Sequence, residues 1–75
     1  MLTRSEEDHL KAVYALLQDG DSAFTKDIAG RLHTKASSVT DMLKKLADKG
    51  LLKHEPYYGV KLTAKGRTHA LQLVR

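Results

Sequence analysis

Ser37, Thr40, Asp41 and Lys44 place two hydroxyls, a carboxylate and an ammonium on one face of a helical segment, with Ser38 beside them. These groups can read the edges of nucleic-acid bases. A hydroxyl donates or accepts, a carboxylate accepts from cytosine, and a threonine methyl packs on that of thymine. A face built only for solubility usually carries long Glu and Lys side chains. Short hydroxyls let a helix backbone come close to its partner, and the major groove admits such a helix. Catalysis has no comparable support. The chain has no Cys, no Gly-rich phosphate loop and no paired-carboxylate cleft, and 75 residues leave little room for a pocket. No enzyme is expected.

The element carrying this face is Ala36 to Leu46, closed by Gly50. Val39, Met42, Leu43 and Leu46 recur at i, i+3, i+4 and i+7, the apolar stripe of an amphipathic helix. Upstream, Thr25 to Leu32 reads as a short helix with Thr25 as N-cap and Ile28, Ala29 and Leu32 facing inward. The connection His33-Thr34-Lys35 is tight, and Thr34 is placed to cap the second helix. A short helix, a turn of about three or four residues and a second helix match a helix-turn-helix. Ala29 is the small residue where the helices cross. His33 stands where Gly would be more comfortable, though His tolerates positive φ better than most residues. On these two helices alone a plain helical hairpin fits equally well.

The segment after Lys49 favours the helix-turn-helix. Gly50 ends the helix at C′, and Leu51 to Glu55 reads as a strand. Pro56-Tyr57-Tyr58-Gly59 is a turn, and Val60-Lys61-Leu62 alternates as a return strand. The expected fold is mainly α with a small β-hairpin: a winged helix-turn-helix with a three-helix core, a wing and a C-terminal linking helix. Lys53, Tyr57 and Tyr58 on the wing, with Lys61 flanking, suit contact with a sugar-phosphate backbone, as do Thr25, Lys26, Lys35 and Lys45.

Composition agrees. Thirteen Lys and Arg against nine Asp and Glu give a net charge of +4 and a pI near 9.5, which suits a polyanionic partner. The chain is one domain, 1–75, whose core must come from aliphatic and aromatic side chains. The lack of Cys excludes disulfides and thiolate zinc sites and is in keeping with a reducing compartment. No apolar run approaches the ~20 residues needed to cross a bilayer, and no signal-peptide pattern opens the chain. A soluble, cytoplasmic protein without membrane contact is expected.

The first helix, with Thr3 and Glu6 in capping-box spacing, runs to about Gln18 and ends at Asp19-Gly20-Asp21. Leu10, Val13, Tyr14 and Leu17 form its core stripe. Ala12, Ala15 and Leu16 form a second, weakly apolar strip with Asp8 at its head, either plain helix formers or a surface on which something packs. Thr63 caps a last helix, Ala64 to Arg75, whose Ala70, Leu71, Leu73 and Val74 spread over more than one face. No Gly, Asn or Pro ends it, so the chain reads as an amino-terminal fragment.

Five blocks in order carry a family resemblance: Glu7 to Tyr14, Thr25 to Ala29, Ser37 to Leu46, Lys49-Gly50-Leu51 and Gly59 to Thr63. Together they resemble the iron- and manganese-dependent repressors of the diphtheria toxin repressor family. The resemblance spans almost the whole chain. It implies the DNA-binding domain of a homodimeric repressor that controls metal-uptake genes through a palindromic operator. Fe²⁺ or Mn²⁺ would be co-repressor in the intact protein, most of its ligands lying in a following dimerisation domain absent here. Asp8 matches the amino-terminal metal ligand of manganese-type members, where iron-type members tend to place Met. Lys11 stands where manganese-type members add a carboxylate, and a cation cannot ligate a metal. The next ligand would be a His just beyond Arg75. Ala36 replaces the proline that often opens the recognition helix, at little cost. His9 is not an expected ligand, and His33, His54 and His69 read as surface or turn residues.

The sequence therefore predicts a DNA reader with Ser37, Ser38, Thr40, Asp41 and Lys44 at base edges. Thr25, Lys26, Lys35, Lys45, Lys53, Tyr57 and Tyr58 are predicted at the backbone, and Asp8 as part of a metal site. The fragment itself is expected to be mainly monomeric and to hold no metal tightly. The alternative is a winged helix used as a protein–protein module, its basic face merely solvated; salt-dependent DNA binding separates the two.

Overall fold

The computed structural model describes residues 2–20, 23–55, 57 and 59–74. Helix α1 (Arg4–Gln18) opens on a reciprocal cap. Thr3 Oγ1 accepts from the Glu6 N–H at 3.1 Å, and Glu6 Oε1 accepts from the Thr3 N–H at 2.9 Å. Two orphan amides of the first turn are thereby satisfied. Leu10 and Val13 are fully buried, and Tyr14 and Leu17 pack at the core margin, as the period of the sequence requires.

The strip of Ala12, Ala15 and Leu16 is not an open surface. Ala12 is 3 % exposed and Leu16 packs on the core. The cause is the place of α1 in the domain, against α2, α3, α4 and β2. A helix surrounded on several sides needs more than one apolar stripe.

Helix α2 (Thr25–Leu32) turns Ile28 and Ala29 inward. Its C-cap is His33, in the left-handed region at φ 55 and ψ 47. Helix α3 (Ala36–Asp48) comes next, burying Val39, Leu43 and Leu46 completely. Two N-cap assignments need correction. Thr25 is the first residue of α2 rather than its cap, and Phe24 takes the cap with no side-chain hydrogen bond. Ala23 bridges Gly59 and Val60 of the hairpin, and that pairing fixes where the helix can begin. Likewise Lys35, not Thr34, caps α3. The Thr34 N–H is spent closing α2, donating to Ala29 O at 3.0 Å.

Helix α3 closes through Gly50 (φ 77), with Gly50 N–H to Ala47 O at 2.9 Å and Leu51 N–H to Leu46 O at 3.0 Å. Leu51 thus completes the helix, and strand β1 begins one residue later, at Leu52–Glu55. It pairs antiparallel with β2 (Gly59–Leu62), Leu52 facing Leu62 and Lys53 facing Lys61. Pro56 and Tyr58 lie outside the described residues.

Helix α4 (Ala64–Leu73) is tied back by Thr63. Its Oγ1 accepts from the Gly66 N–H at 3.0 Å and donates to Gly50 O at 2.6 Å. The helix ends two residues earlier than the pattern predicts, and Arg75 lies outside the described residues. Ala70 is buried and Leu73 packs on the core, while Leu71 and Val74 are exposed. No helix among the described residues is long and apolar enough to cross a membrane.

Candidate nucleic-acid interface

Ser37, Ser38, Thr40, Asp41 and Lys44 all project from α3 into solvent. The fully buried Val39, Leu43 and Leu46 on the other side fix the rotation of the helix, so this exposure follows from core packing. Ser37 and Asp41, and Thr40 and Lys44, are pairs one turn apart and therefore neighbours on the helix surface. Thr40 Oγ1 donates to Ala36 O at 3.0 Å. Its hydroxyl proton is engaged within the helix, leaving a methyl and an acceptor lone pair for anything outside. Among the described residues, neither Asp41 nor Lys44 joins an ion pair.

At the start of α3 no side chain caps the first-turn amides. The same holds for α2. Unsatisfied N–H groups at a helix start carry partial positive charge and suit an anion. Lys35 caps α3, and Lys26 lies in the first turn of α2, both exposed. Thr25 is half-buried and lines a groove of about 330 Å³ together with Phe24, His54, Glu55 and Tyr57. Thr25 and the wing are thereby brought to one place. Tyr57 is 93 % exposed with φ 71, an unusual backbone for a non-glycine residue.

Two cations are set differently. Lys53 is held by Glu55 at 3.2 Å on its own strand. Lys45 lines a separate recess beside the start of α1, with Thr3, Glu6, Met42, Asp48 and Lys49. Tyr58 lies outside the described residues.

Glu6 couples that recess to the fold. Its Oε2 accepts from Lys49 Nζ at 2.5 Å. That hydrogen bond, with those from Thr3, lowers its pKa from 4.5 to about 2. The first turn of α1 is thus locked to the end of α3.

Asp8 meets Lys11 Nζ at 3.7 Å, with both side chains about half exposed. Among the described residues no three His, Cys, Asp or Glu side chains gather where they could hold an ion. Mn²⁺ and Fe²⁺ require several converging oxygen or nitrogen ligands. One carboxylate facing a lysine does not fit such an ion by itself.

The sequence pattern gives no sign of a cleft between α1, β2 and α4, with Lys61 and Arg67 in its wall. No local motif marks it, because its lining is drawn from three elements.

Comparison with known proteins agrees with this geometry. Residues 1–60 match the family described as iron dependent repressor, N-terminal DNA binding domain. The chain is 41% identical over 75 residues to the HTH-type transcriptional regulator MntR of Lysinibacillus sphaericus, covering 100% of this chain and 54% of that one. It thus spans about half the length of the curated relatives it matches. Among solved structures, the manganese regulator SloR superposes with a TM-score of 0.78 at 33% identity, over 92% of this chain and 32% of that one. MepR of S. aureus, solved as a DNA complex, gives a TM-score of 0.82 at 23% identity, over 97% and 55%, a likeness of fold. The chain belongs to the iron-dependent repressor family, as its amino-terminal, winged-helix DNA-binding domain.

Proposed function

We propose that this domain reads double-stranded DNA by laying the first turns of α3 in the major groove. Ser37, Ser38, Thr40, Asp41 and Lys44 face base edges. Thr25, Lys26, Lys35, Lys45, Lys53, Tyr57 and Tyr58 meet phosphates. The observation that carries this reading is the short-chained polar face of α3, held outward by a fully buried stripe. Lys45 and Lys53 are the weaker phosphate contacts, since carboxylates stand near both.

In a longer protein of the relatives' size, the domain serves a homodimeric, cytoplasmic repressor of metal-uptake genes acting on a palindromic operator. The family description names iron, and the related SloR is a manganese regulator. The proposal is a divalent transition-metal response, with Asp8 giving one ligand and later residues the rest. These 75 residues alone are mainly monomeric.

Fluorescence anisotropy with a labelled duplex tests the DNA reading. A single half-site reader should bind near the non-specific range, Kd roughly 10⁻⁴–10⁻⁶ M at physiological salt. Affinity should fall steeply with salt, and Lys26→Ala should flatten the log–log slope by about one unit. No binding at low salt would instead point to a protein partner.

A further inference from the structure

The cleft between the end of α1, β2 and α4 has a volume of about 320 Å³ and is lined by Tyr14, Leu17, Gln18, Lys61, Leu62 and Arg67. Its two cations come from different elements, Lys61 from β2 and Arg67 from α4, and both are exposed. No carboxylate is among these lining residues. Neither cation joins an ion pair among the described residues. Lys61 also stands directly across the hairpin from Lys53, and like charges in that position are destabilising. Lys53 is compensated by Glu55 at 3.2 Å, and Lys61 has no such carboxylate among the described residues. A neutral donor completes the set. Gln18 Nε2 donates to Tyr14 Oη at 3.1 Å, which uses a lone pair of the phenol and leaves its proton for another acceptor. Leu17 and Leu62 add apolar surface to the lining.

A planar guanidinium, an ammonium and a hydroxyl donor around one concavity suit a tetrahedral oxyanion. We propose that this cleft is a phosphate-binding subsite, with Arg67 and Lys61 as charge partners and Tyr14 as the third donor. Its expected source of phosphate is the duplex backbone flanking the wing, and in that respect it rests on the DNA-binding reading. A free phosphate group has the same chemistry, and the experiment separates the two.

The ¹⁵N-labelled chain is titrated with inorganic phosphate at constant ionic strength, with chloride as reference. Saturable shifts are expected at the amides of Gln18, Lys61 and Arg67. They should vanish in Lys61→Ala and Arg67→Ala and persist in Lys65→Ala, which removes an equal charge from an exposed site on α4 outside this cleft. In parallel, the salt dependence of duplex binding is measured for the same variants. A slope lowered by about one unit in Lys61→Ala and Arg67→Ala, but not in Lys65→Ala, assigns the subsite to DNA. Saturable phosphate shifts with unchanged slopes support the subsite and make a free phosphate its ligand. The phosphate arm stands even if the chain binds no duplex, so failure of the DNA reading is seen separately. Absence of saturable shifts overturns the proposal. Lys61 and Arg67 would then serve only to offset the dipole at the end of α1, whose last turn has no basic residue of its own.

Discussion

Glu6 does two jobs with one carboxylate. It completes the cap of α1 through Thr3 and holds Lys49 at the end of α3. Its pKa falls from 4.5 to about 2 because Lys49 and Thr3 donate to the charged form. A carboxyl with a depressed folded-state pKa contributes stability above its unfolded value, and loses it as pH falls through the folded one. Stability from this group is therefore fully present above about pH 4.5 and disappears towards pH 2. Urea unfolding across that window should show it, and Glu6→Gln should flatten this part of the profile. A wild-type profile with no decline there would mean that the ion pair is not formed in solution. The geometry also makes the order of the sequence meaningful: residues 43 positions apart are joined, so the capping box holds the far end of α3 as well as starting a helix.

Two glycines in helices make opposite predictions from the same substitution. Gly30 lies in α2 with nothing within 4 Å of an added Cβ. Gly30→Ala should stabilise the fold by about 0.5–1 kcal/mol, through helix propensity and a less flexible unfolded chain. Gly66 lies in α4, and its Cβ would stand 1.9 Å from Leu51 O. That obstacle is backbone, which cannot swing aside as a side chain could. Gly66→Ala should cost roughly 1–3 kcal/mol or more, despite the better helix former. Thermal unfolding of both variants checks the pair: a Gly66→Ala variant as stable as the parent would refute the close docking of α4, and a destabilised Gly30→Ala would refute the open space beside α2.

Gly66 also marks where sequence reading stops. The elements, their order, the caps at Thr3 and Thr63 and the left-handed turn at His33 were legible, because each depends on neighbours within a few residues. What escaped depends on distant segments. Phe24 and Lys35 displaced the threonines as N-caps because a bridge from Ala23 and the closure of α2 set the backbone first. The pattern around Ala12 fits plain helix formers and a packing face alike, and only the distant elements around α1 decide between them. The polar face of α3 was legible for the converse reason, since a buried stripe on one side dictates the other. The Lys61 and Arg67 cleft was not, being assembled from three elements.

These 75 residues match about half the length of their relatives, and the two proposed properties differ in what they need from this domain. DNA reading depends on a surface contained in the domain. A metal response depends on ligands, and of the matched positions only Asp8 carries a donor. Its carboxylate sits 3.7 Å from Lys11 Nζ, so an ion there would meet both a missing coordination shell and a like charge. Each effect weakens binding, and several oxygen or nitrogen donors are needed to hold Mn²⁺ or Fe²⁺. Calorimetric titration with Mn²⁺ should therefore give no stoichiometric site in the micromolar range. Duplex binding should be unchanged by Mn²⁺ or by a chelator, once ionic strength is matched. Lys11→Glu sharpens the test, because it replaces the repelling cation with a second carboxylate three residues from Asp8. Weak Mn²⁺ binding that appears in Lys11→Glu and is lost when Asp8→Ala is added would show that Asp8 is placed to ligate. A tight site in the unaltered chain that survives Asp8→Ala would place the ion elsewhere and remove Asp8 from the proposed metal response.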